Sequence, residues 1–267
     1  MSMYESLLLF AIQTAEKAGR VLLEHFKENE PISRGTPKEV KAMVDEIADE
    51  IIQKELEARF PDHSYLTEET GRVEKNSAYR WIIDPVDGTG NFVNSNPFYA
   101  ISLFLCRGAE PVLGLIEAPS LQERYWAVKG EGAWVMDLET GERKRAQVSA
   151  TRELQQSYLV CCEGGVKDRK RVLSHLDRYY AEVKDMRKLG SAALESAWVG
   201  LGRADAYITH EISIWDVAAG MLFVEEAGGV NLHFQGTPWT WDELLQAEEL
   251  DLISSNGALE LYGPASP

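Results

Sequence analysis

Two carboxylates, Asp84 and Asp87, lie three positions apart directly after the apolar run at residues 81–83. Bulky apolar neighbours without alternation predict a strand that is buried on both faces. Pro85 cannot donate a ladder hydrogen bond, and Gly88 tolerates unusual backbone angles. We therefore expect the strand to stop at Asp84 and the chain to turn sharply through Asp87 and Gly88, so that both carboxylates point into one small space.

Two carboxylates held that close raise each other's pKa unless a cation neutralises them, which favours a divalent metal site. Ligands that are all oxygen select Mg²⁺, Mn²⁺ or Ca²⁺ over Zn²⁺. The segment 88–91 adds backbone N–H groups that suit phosphate oxygens, so the combination predicts phosphoryl chemistry. The plain alternative is a surface turn, because Asp and Gly favour turns for local reasons.

Two further acidic sites favour the metal. Glu68 and Glu69 follow a predicted strand at residues 63–66 and precede Asp84 closely, so a shared sheet edge brings Glu68 to the same ion. Asp216 lies in the first turn of a strongly apolar predicted helix, where small residues at 218–220 allow close approach of other backbone. Taken singly, these acids are typical of a solvated strand end and of a helix start favoured by the helix dipole.

Two more segments are candidates for the same site. A second predicted helix begins near Pro37, and Asp45 lies close to its buried stripe, where an unpaired carboxylate is costly; a boundary position with access to water is the alternative. Gly190, Ser191 and Ala192 open another predicted helix and therefore offer backbone N–H groups to an anion or a hydroxyl.

The remaining pattern predicts two halves. The first has an amphipathic helix at residues 7–26, the helix from Pro37, and an antiparallel meander over residues 100–135. The polar run at 137–147 is a hairpin or connector, which sets a boundary between residues 1–145 and 146–267. Strands and helices alternate after it, so the fold class is α+β in the first half and α/β in the second.

Composition excludes several classes of function. Forty-three acidic and 27 basic residues give a net charge of −16, which argues against direct nucleic-acid contact and against an anionic membrane as partner. The amino terminus lacks the features of a signal peptide, so a cytoplasmic location is expected. Cys106, Cys161 and Cys162 do not indicate a disulfide framework.

With these segments in place, the chain resembles the inositol monophosphatase family of Mg²⁺-dependent, lithium-sensitive phosphatases. The resemblance is carried by the motifs at 84–92 and 215–220 and by the acidic pair Glu68-Glu69, and it runs from the first helix to about Tyr262. It implies a layered αβαβα sandwich of the inositol monophosphatase and fructose-1,6-bisphosphatase type, a homodimer, and a site between the halves. It also implies two or three Mg²⁺ ions, with Mn²⁺ as a possible substitute.

The resemblance assigns roles by position. It implies metal ligands at Glu68, Asp84, Asp87, Asp216 and the backbone carbonyl of Val86. It implies substrate contacts at Asp87, Gly88, Thr89, Gly190, Ser191, Ala192, Thr209 and Asp216, with Gly88 and Thr89 forming the phosphate-binding turn. Asp45 matches the helix aspartate that bonds to the motif threonine, so a metal-held water loses its proton with help from Glu68 and from Thr89 paired with Asp45.

Departures from the family pattern leave the substrate open. Inositol-selective members carry a Glu where this chain has Thr209, and Gly35-Thr36-Pro37 resembles members that also cleave fructose 1,6-bisphosphate. The leading hypothesis is a phosphomonoesterase for inositol 1-phosphate or a similar small polyol or sugar phosphate. The alternatives are a fructose-1,6-bisphosphatase, a histidinol-phosphatase, a 3'-nucleotide bisphosphatase, or a partner-binding protein associated with transcription whose phosphatase activity is secondary.

Overall fold

A computed structural model describes residues 3–27, 37–162, 169–247 and 249–261. Gly35, Thr36 and Tyr262, which entered the family comparison, lie outside these ranges. Within them, every helix is too short or too polar to cross a lipid bilayer.

The described residues form seven α-helices and thirteen strands. The helices of the described residues are α1 (Met3–Lys27), α2 (Pro37–Arg59), α3 (Thr89–Val93), α4 (Arg169–Tyr180), α5 (Ala192–Gly200), α6 (Ile214–Glu226) and α7 (Trp241–Gln246). The strands are β1 (Ser64–Thr67), β2 (Gly71–Val73), β3 (Tyr79–Asp87), β4 (Ala100–Arg107), β5 (Glu110–Ala118), β6 (Glu123–Val128), β7 (Gly132–Asp137), β8 (Arg143–Arg145), β9 (Tyr158–Cys162), β10 (Asp185–Arg187), β11 (Ala206–Ile212), β12 (Val230–Leu232) and β13 (Leu250–Ser255).

The strands form two sheets. The first has eight strands in the order β2-β1-β3-β4-β5-β6-β7-β8, and its β1–β3 pair is parallel. The second has five strands in the order β10-β9-β11-β13-β12, with β9 parallel to both of its neighbours. The order of the first sheet matters for the site, because β1 and β3 place Thr67 beside Ile83.

The sheets alternate with helical layers. In α1, small and apolar residues at helical spacing, from Leu7 through Ala11, Ala15 and Ala18 to Leu22, are buried with α2 against one face of the first sheet. Helices α5 and α6 lie in the core between the two sheets, and α4 covers the outer face of the second sheet. The predicted αβαβα sandwich is confirmed.

Strand β3 is longer than expected. It continues to Asp87, so the prediction that it stops at Asp84 is wrong. Its pairing with β4 is regular up to Asp84, becomes irregular across the next two residues and resumes at Asp87. Pro85 has no N–H, and the N–H of Val86 donates to Asp84 Oδ1 at 2.9 Å, so the polar groups of the irregular stretch are satisfied locally and the strand goes on.

The polar run at 137–147 forms the turn and the second strand of a hairpin, because β8 lies in this run and pairs with β7. The first sheet ends at Arg145 and the second begins at Tyr158. Since α5 and α6 pack in the core between the sheets, the two halves share one internal layer. The division into 1–145 and 146–267 stays a prediction.

Replacing Gly220 with alanine is expected to destabilise the protein by about 1–3 kcal/mol, because a Cβ there would lie 2.4 Å from the Cβ of Ser196 where α6 crosses α5. Urea unfolding of Gly220→Ala measures the loss. Adding Ser196→Gly removes the clashing atom, so the two changes should be non-additive and the double variant more stable than Gly220→Ala alone. Additive losses would contradict this explanation.

Candidate active site

Three carboxylates from separate elements converge. Glu68 follows β1, Asp84 lies on β3 and Asp216 lies in the first turn of α6, and one oxygen from each falls within 4.8 Å of the others. Glu68 reaches Asp84 because β1 and β3 are parallel neighbours, and its N–H donates to Ile83 O at 3.3 Å. The predicted convergence of three distant acidic segments is present in the structure.

The start of α6 is fixed in place on two sides. Asp216 accepts the N–H of the capping residue Ser213 at 3.2 Å, which holds its carboxylate at the helix start. Ser102 of β4 donates to Trp215 O at 3.2 Å. A Cβ at Gly114 of β5 would lie 2.8 Å from Ala219 O, so the helix presses against the first sheet as its small residues predict.

Burial and mutual charge repulsion raise the pKa values of two of the clustered acids. The pKa of Asp84 lies well above its ordinary value, chiefly because the group is buried and further because of the charges of Asp216, Asp87 and Glu68. Burial likewise raises the pKa of Asp216 well above normal, with Asp87 and Glu68 adding to it. A divalent cation relieves this repulsion, and an all-oxygen donor set suits a hard ion, so these residues fit Mg²⁺ or Mn²⁺.

Asp87 lies beside this cluster but faces α5. Its Oδ2 accepts hydrogen bonds from the Ser191 hydroxyl and from Ala193 N at 2.9 Å, and its Oδ1 accepts one from Ala192 N at 3.1 Å. Burial raises the pKa of Asp87 to about 6, and these hydrogen bonds oppose the rise. The first N–H groups of α5 therefore bind an anion, as expected, but here that anion is the protein's own carboxylate.

The turn after Asp87 is occupied by α3. Gly88 has φ of +84°, and the Thr89 hydroxyl donates to Val86 O at 3.0 Å. The N–H of Asn91 donates to Gly88 O at 2.8 Å, so the expectation that it is free for phosphate is wrong. Asp45 is buried on α2, which packs on α3. The Thr89–Asp45 pair and metal ligation by the Val86 carbonyl stay predictions.

The remaining predicted substrate contacts lie at the start of α5 and on β11. Gly190 has φ of +84° and precedes Ser191, the residue that caps α5. Thr209 lies inside the second sheet, paired with Leu252 on one side and Cys162 on the other, and is fully buried. Contact between these residues and a substrate stays a prediction.

Two buried acids that lie one helical turn after candidate residues escaped the sequence analysis. Asp49 lies four residues after Asp45 on α2, and its Oδ2 accepts from Gln53 Nε2 at 2.7 Å and Thr70 Oγ1 at 2.7 Å. Glu195 is fully buried in the first turn of α5. The available signal was helical spacing, since each follows a candidate residue by one helical turn.

Replacing Gly88 with alanine is expected to lower both stability and activity. The left-handed backbone alone costs a side chain about 1–2 kcal/mol, and the added Cβ would lie 3.0 Å from Phe98 O and 3.1 Å from Gly190 O. Thermal melting and phosphate release measure the two losses. Gly141→Ala is the matched control, because Gly141 has φ of +74° and open space around it; equal losses in both variants would contradict the crowding argument.

Comparison with known proteins agrees with this geometry. The model of the inositol monophosphatase family matches residues 3–258. The chain is 36% identical over 252 residues to Nus factor SuhB of Xylella fastidiosa, covering 92% of this chain and 88% of that protein. It is 38% identical over 229 residues to inositol-1-monophosphatase of Mesorhizobium japonicum, covering 84% of each. The crystal structure of the extragenic suppressor protein suhB from Bartonella henselae superposes with a TM-score of 0.82 at 31% identity, covering 95% of both chains.

The layered fold, the acidic cluster and these matches define one class of protein. The chain belongs to the inositol monophosphatase family. It is a phosphomonoesterase, and the relatives that it matches include a protein from Thermotoga maritima named fructose-1,6-bisphosphatase/inositol-1-monophosphatase, at 36% identity over 228 residues, covering 85% of this chain and 84% of that protein.

Proposed function

We propose that this phosphatase is Mg²⁺-dependent and hydrolyses inositol 1-phosphate or a similar small polyol phosphate. The observation that carries the proposal is the convergence of Glu68, Asp84 and Asp216 within 4.8 Å, with Asp84 buried and Asp216 partly buried. Two or three Mg²⁺ ions, replaceable by Mn²⁺, sensitivity to lithium, a homodimer and a cytoplasmic location belong to the same proposal.

The ligand set consists of Glu68, Asp84, Asp87, Asp216 and the carbonyl of Val86. Bound Mg²⁺ supplies positive charge that neutralises phosphoryl oxygens and makes water more acidic. Without that charge, the crowded carboxylates would repel a phosphate monoester. The charge of the carboxylates thus explains both why the site binds a metal ion and why the reaction requires one.

The other residues manage the proton and the substrate. Glu68, and Thr89 together with Asp45, take the proton of the attacking water, so that hydrolysis proceeds by in-line displacement without a covalent enzyme intermediate. Gly88 and Thr89 hold the phosphoryl group at the turn. Gly190, Ser191, Ala192 and Thr209 contact the leaving group.

Phosphate release from a substrate panel tests the proposal. The panel contains inositol 1-phosphate, fructose 1,6-bisphosphate, histidinol phosphate and a 3',5'-nucleotide bisphosphate, each with Mg²⁺, with Mg²⁺ plus lithium, and with chelator. We expect inositol 1-phosphate or another small polyol monoester to give the highest kcat/KM, with turnover lost in chelator and reduced by lithium. A faster reaction with one of the other substrates would reassign the specificity, and no turnover of any with Mg²⁺ present would refute the proposal.

A second candidate function is binding to a protein partner. The relatives named Nus factor SuhB favour it, since the one from Xylella fastidiosa matches 92% of this chain. The test compares the wild type with Asp84→Asn in pull-down against purified transcription proteins. Binding that survives the loss of activity would support a scaffold role, and the absence of binding by the wild type would exclude it.

A further inference from the structure

The segment before α5 controls the surroundings of Asp87. The Asp87 carboxylate accepts hydrogen bonds from Ser191, Ala192 and Ala193, which follow Gly190 directly at the start of α5. Gly88 also packs on this segment, since a Cβ there would lie 3.1 Å from Gly190 O. A displacement of residues 189–190 would therefore move the groups that orient Asp87.

Asn91 holds the segment from the first half of the chain. Its Nδ2 lies 2.8 Å from Leu189 O, 3.2 Å from Gly190 O and 2.7 Å from Phe98 O, so its two N–H groups are shared among these carbonyls. Its Oδ1 accepts from Asn96 Nδ2 at 2.9 Å, which fixes the orientation of the amide. The bonds to Leu189 and Gly190 span about a hundred residues of sequence and join α3 to the segment before α5.

Glu195 holds the same segment from the second half of the chain. Its Oε1 accepts Leu189 N at 2.7 Å and Gly190 N at 3.3 Å. Its Oε2 makes no hydrogen bond to the part of the chain that the structure describes. Because the group is fully buried, the pKa of Glu195 is raised to about 8, and the neutral acid is the form that fits the site at neutral pH.

We propose that Asn91 and Glu195 are positioning residues that act as a two-sided clamp on Leu189 and Gly190, and thereby set the carboxylate of Asp87 for divalent metal binding. Asn91 holds the carbonyl groups of the clamped residues, and Glu195 holds their N–H groups. Neither side chain is a metal ligand in this scheme. The clamp rests on the proposed function, since it assumes that Asp87 serves a metal ion.

Isothermal titration calorimetry with Mn²⁺ alone, together with kcat and KM for the best substrate of the panel, tests the clamp in the full chain. Losing a group that orients a metal ligand typically weakens metal binding about 10- to 100-fold, and we expect that range for Glu195→Ala and Asn91→Ala. Glu195→Gln should stay within about threefold of the wild type, because the amide oxygen accepts the same N–H groups in a neutral side chain. Glu195→Met fills nearly the same volume but accepts no N–H group, so it should weaken Mn²⁺ binding as Glu195→Ala does, whereas a merely space-filling role would let methionine restore binding.

Asn231→Ala is the matched control for lost stability. Asn231 is a buried amide that donates to Met221 O at 2.9 Å and accepts from Ser254, so its loss destabilises the fold outside the clamp. Metal affinity should remain that of the wild type in this control. The clamp is overturned if Asn91→Ala and Glu195→Ala melt earlier, as the control does, yet bind Mn²⁺ like the wild type. Failure of the proposed function gives a different result, because the wild type itself would then bind no Mn²⁺. That result would also overturn the clamp.

Discussion

Asp84→Asn is expected to reduce kcat/KM by at least about 10³-fold while making the metal-free protein more stable at pH 8. The activity falls because a ligand charge is lost, and charge stabilisation of the transition state is worth several kcal/mol. The stability rises because asparagine keeps the oxygen that accepts Val86 N but removes a buried charge that Asp216, Asp87 and Glu68 oppose. We expect a gain of about 1–3 kcal/mol, measured by urea unfolding in chelator.

Glu117→Gln is the control with the opposite sign. Glu117 is also a buried carboxylate whose pKa is raised by burial, but it pairs with Arg124 at 2.5 Å, and this cation opposes the rise. Removing its charge leaves the buried guanidinium with a weaker partner, so this variant should lose stability and keep its activity. An Asp84→Asn protein that is less stable than the wild type in chelator, or that keeps a tenth of its activity, would contradict the account of the acid cluster.

Glu195 is expected to lower the free energy of unfolding of the metal-free protein as the pH rises from about 5 to 8. Glu195→Gln should remove this contribution to the pH dependence. The pKa of Glu195 is about 8 in the folded chain against an ordinary value of 4.5. As the pH rises through this window, the unfolded chain loses the proton first, so the unfolded state is favoured. The contribution is up to about 1.4 kcal/mol for each pH unit.

Urea unfolding in chelator near pH 5 and near pH 8 gives the measurement. Burial is the main cause of the raised pKa; the charge of Asp87 adds to it, whereas the N–H groups of Leu189 and Gly190 and the charge of Lys188 oppose it. The difference in stability between Glu195→Gln and the wild type should therefore grow with pH. Glu243→Gln is the control, because hydrogen bonds from Thr240 lower the pKa of Glu243. Parallel pH profiles for Glu195→Gln and the wild type would refute the prediction.

The positions of Asp84, Gly88 and Asp216 in the fold could be predicted because local sequence determines them. An apolar run marks β3 and a glycine marks the turn after it, although the proline does not end the strand at Asp84, and a helix-start aspartate follows a serine cap. The layered architecture came from the family resemblance. Metal binding by the predicted ligands is tested by Mn²⁺ calorimetry and by the activity of Asp84→Asn.

Other features depend on partners that are distant in sequence. Whether β3 stops at Asp84 or continues through an irregular pair depends on its alignment with β4, and a local pattern around Pro85 favours stopping. A glutamate in the first turn of a helix is typically solvated, but Glu195 is buried because α5 packs in the core and residues 189–190 bond to it. The elements β2, β8 and α7 are too short for hydrophobic periodicity to mark them.

The internal layer of α5 and α6 also has a consequence for biosynthesis. The eight-stranded sheet is complete in the nascent chain at Arg145, yet the helix that covers its inner face and carries Asp216 leaves the ribosome much later. Until then that apolar face has no cover, and the acidic cluster lacks a member. Assembly of all three acids therefore waits for α6, so the cluster forms only after the whole first sheet has been synthesised.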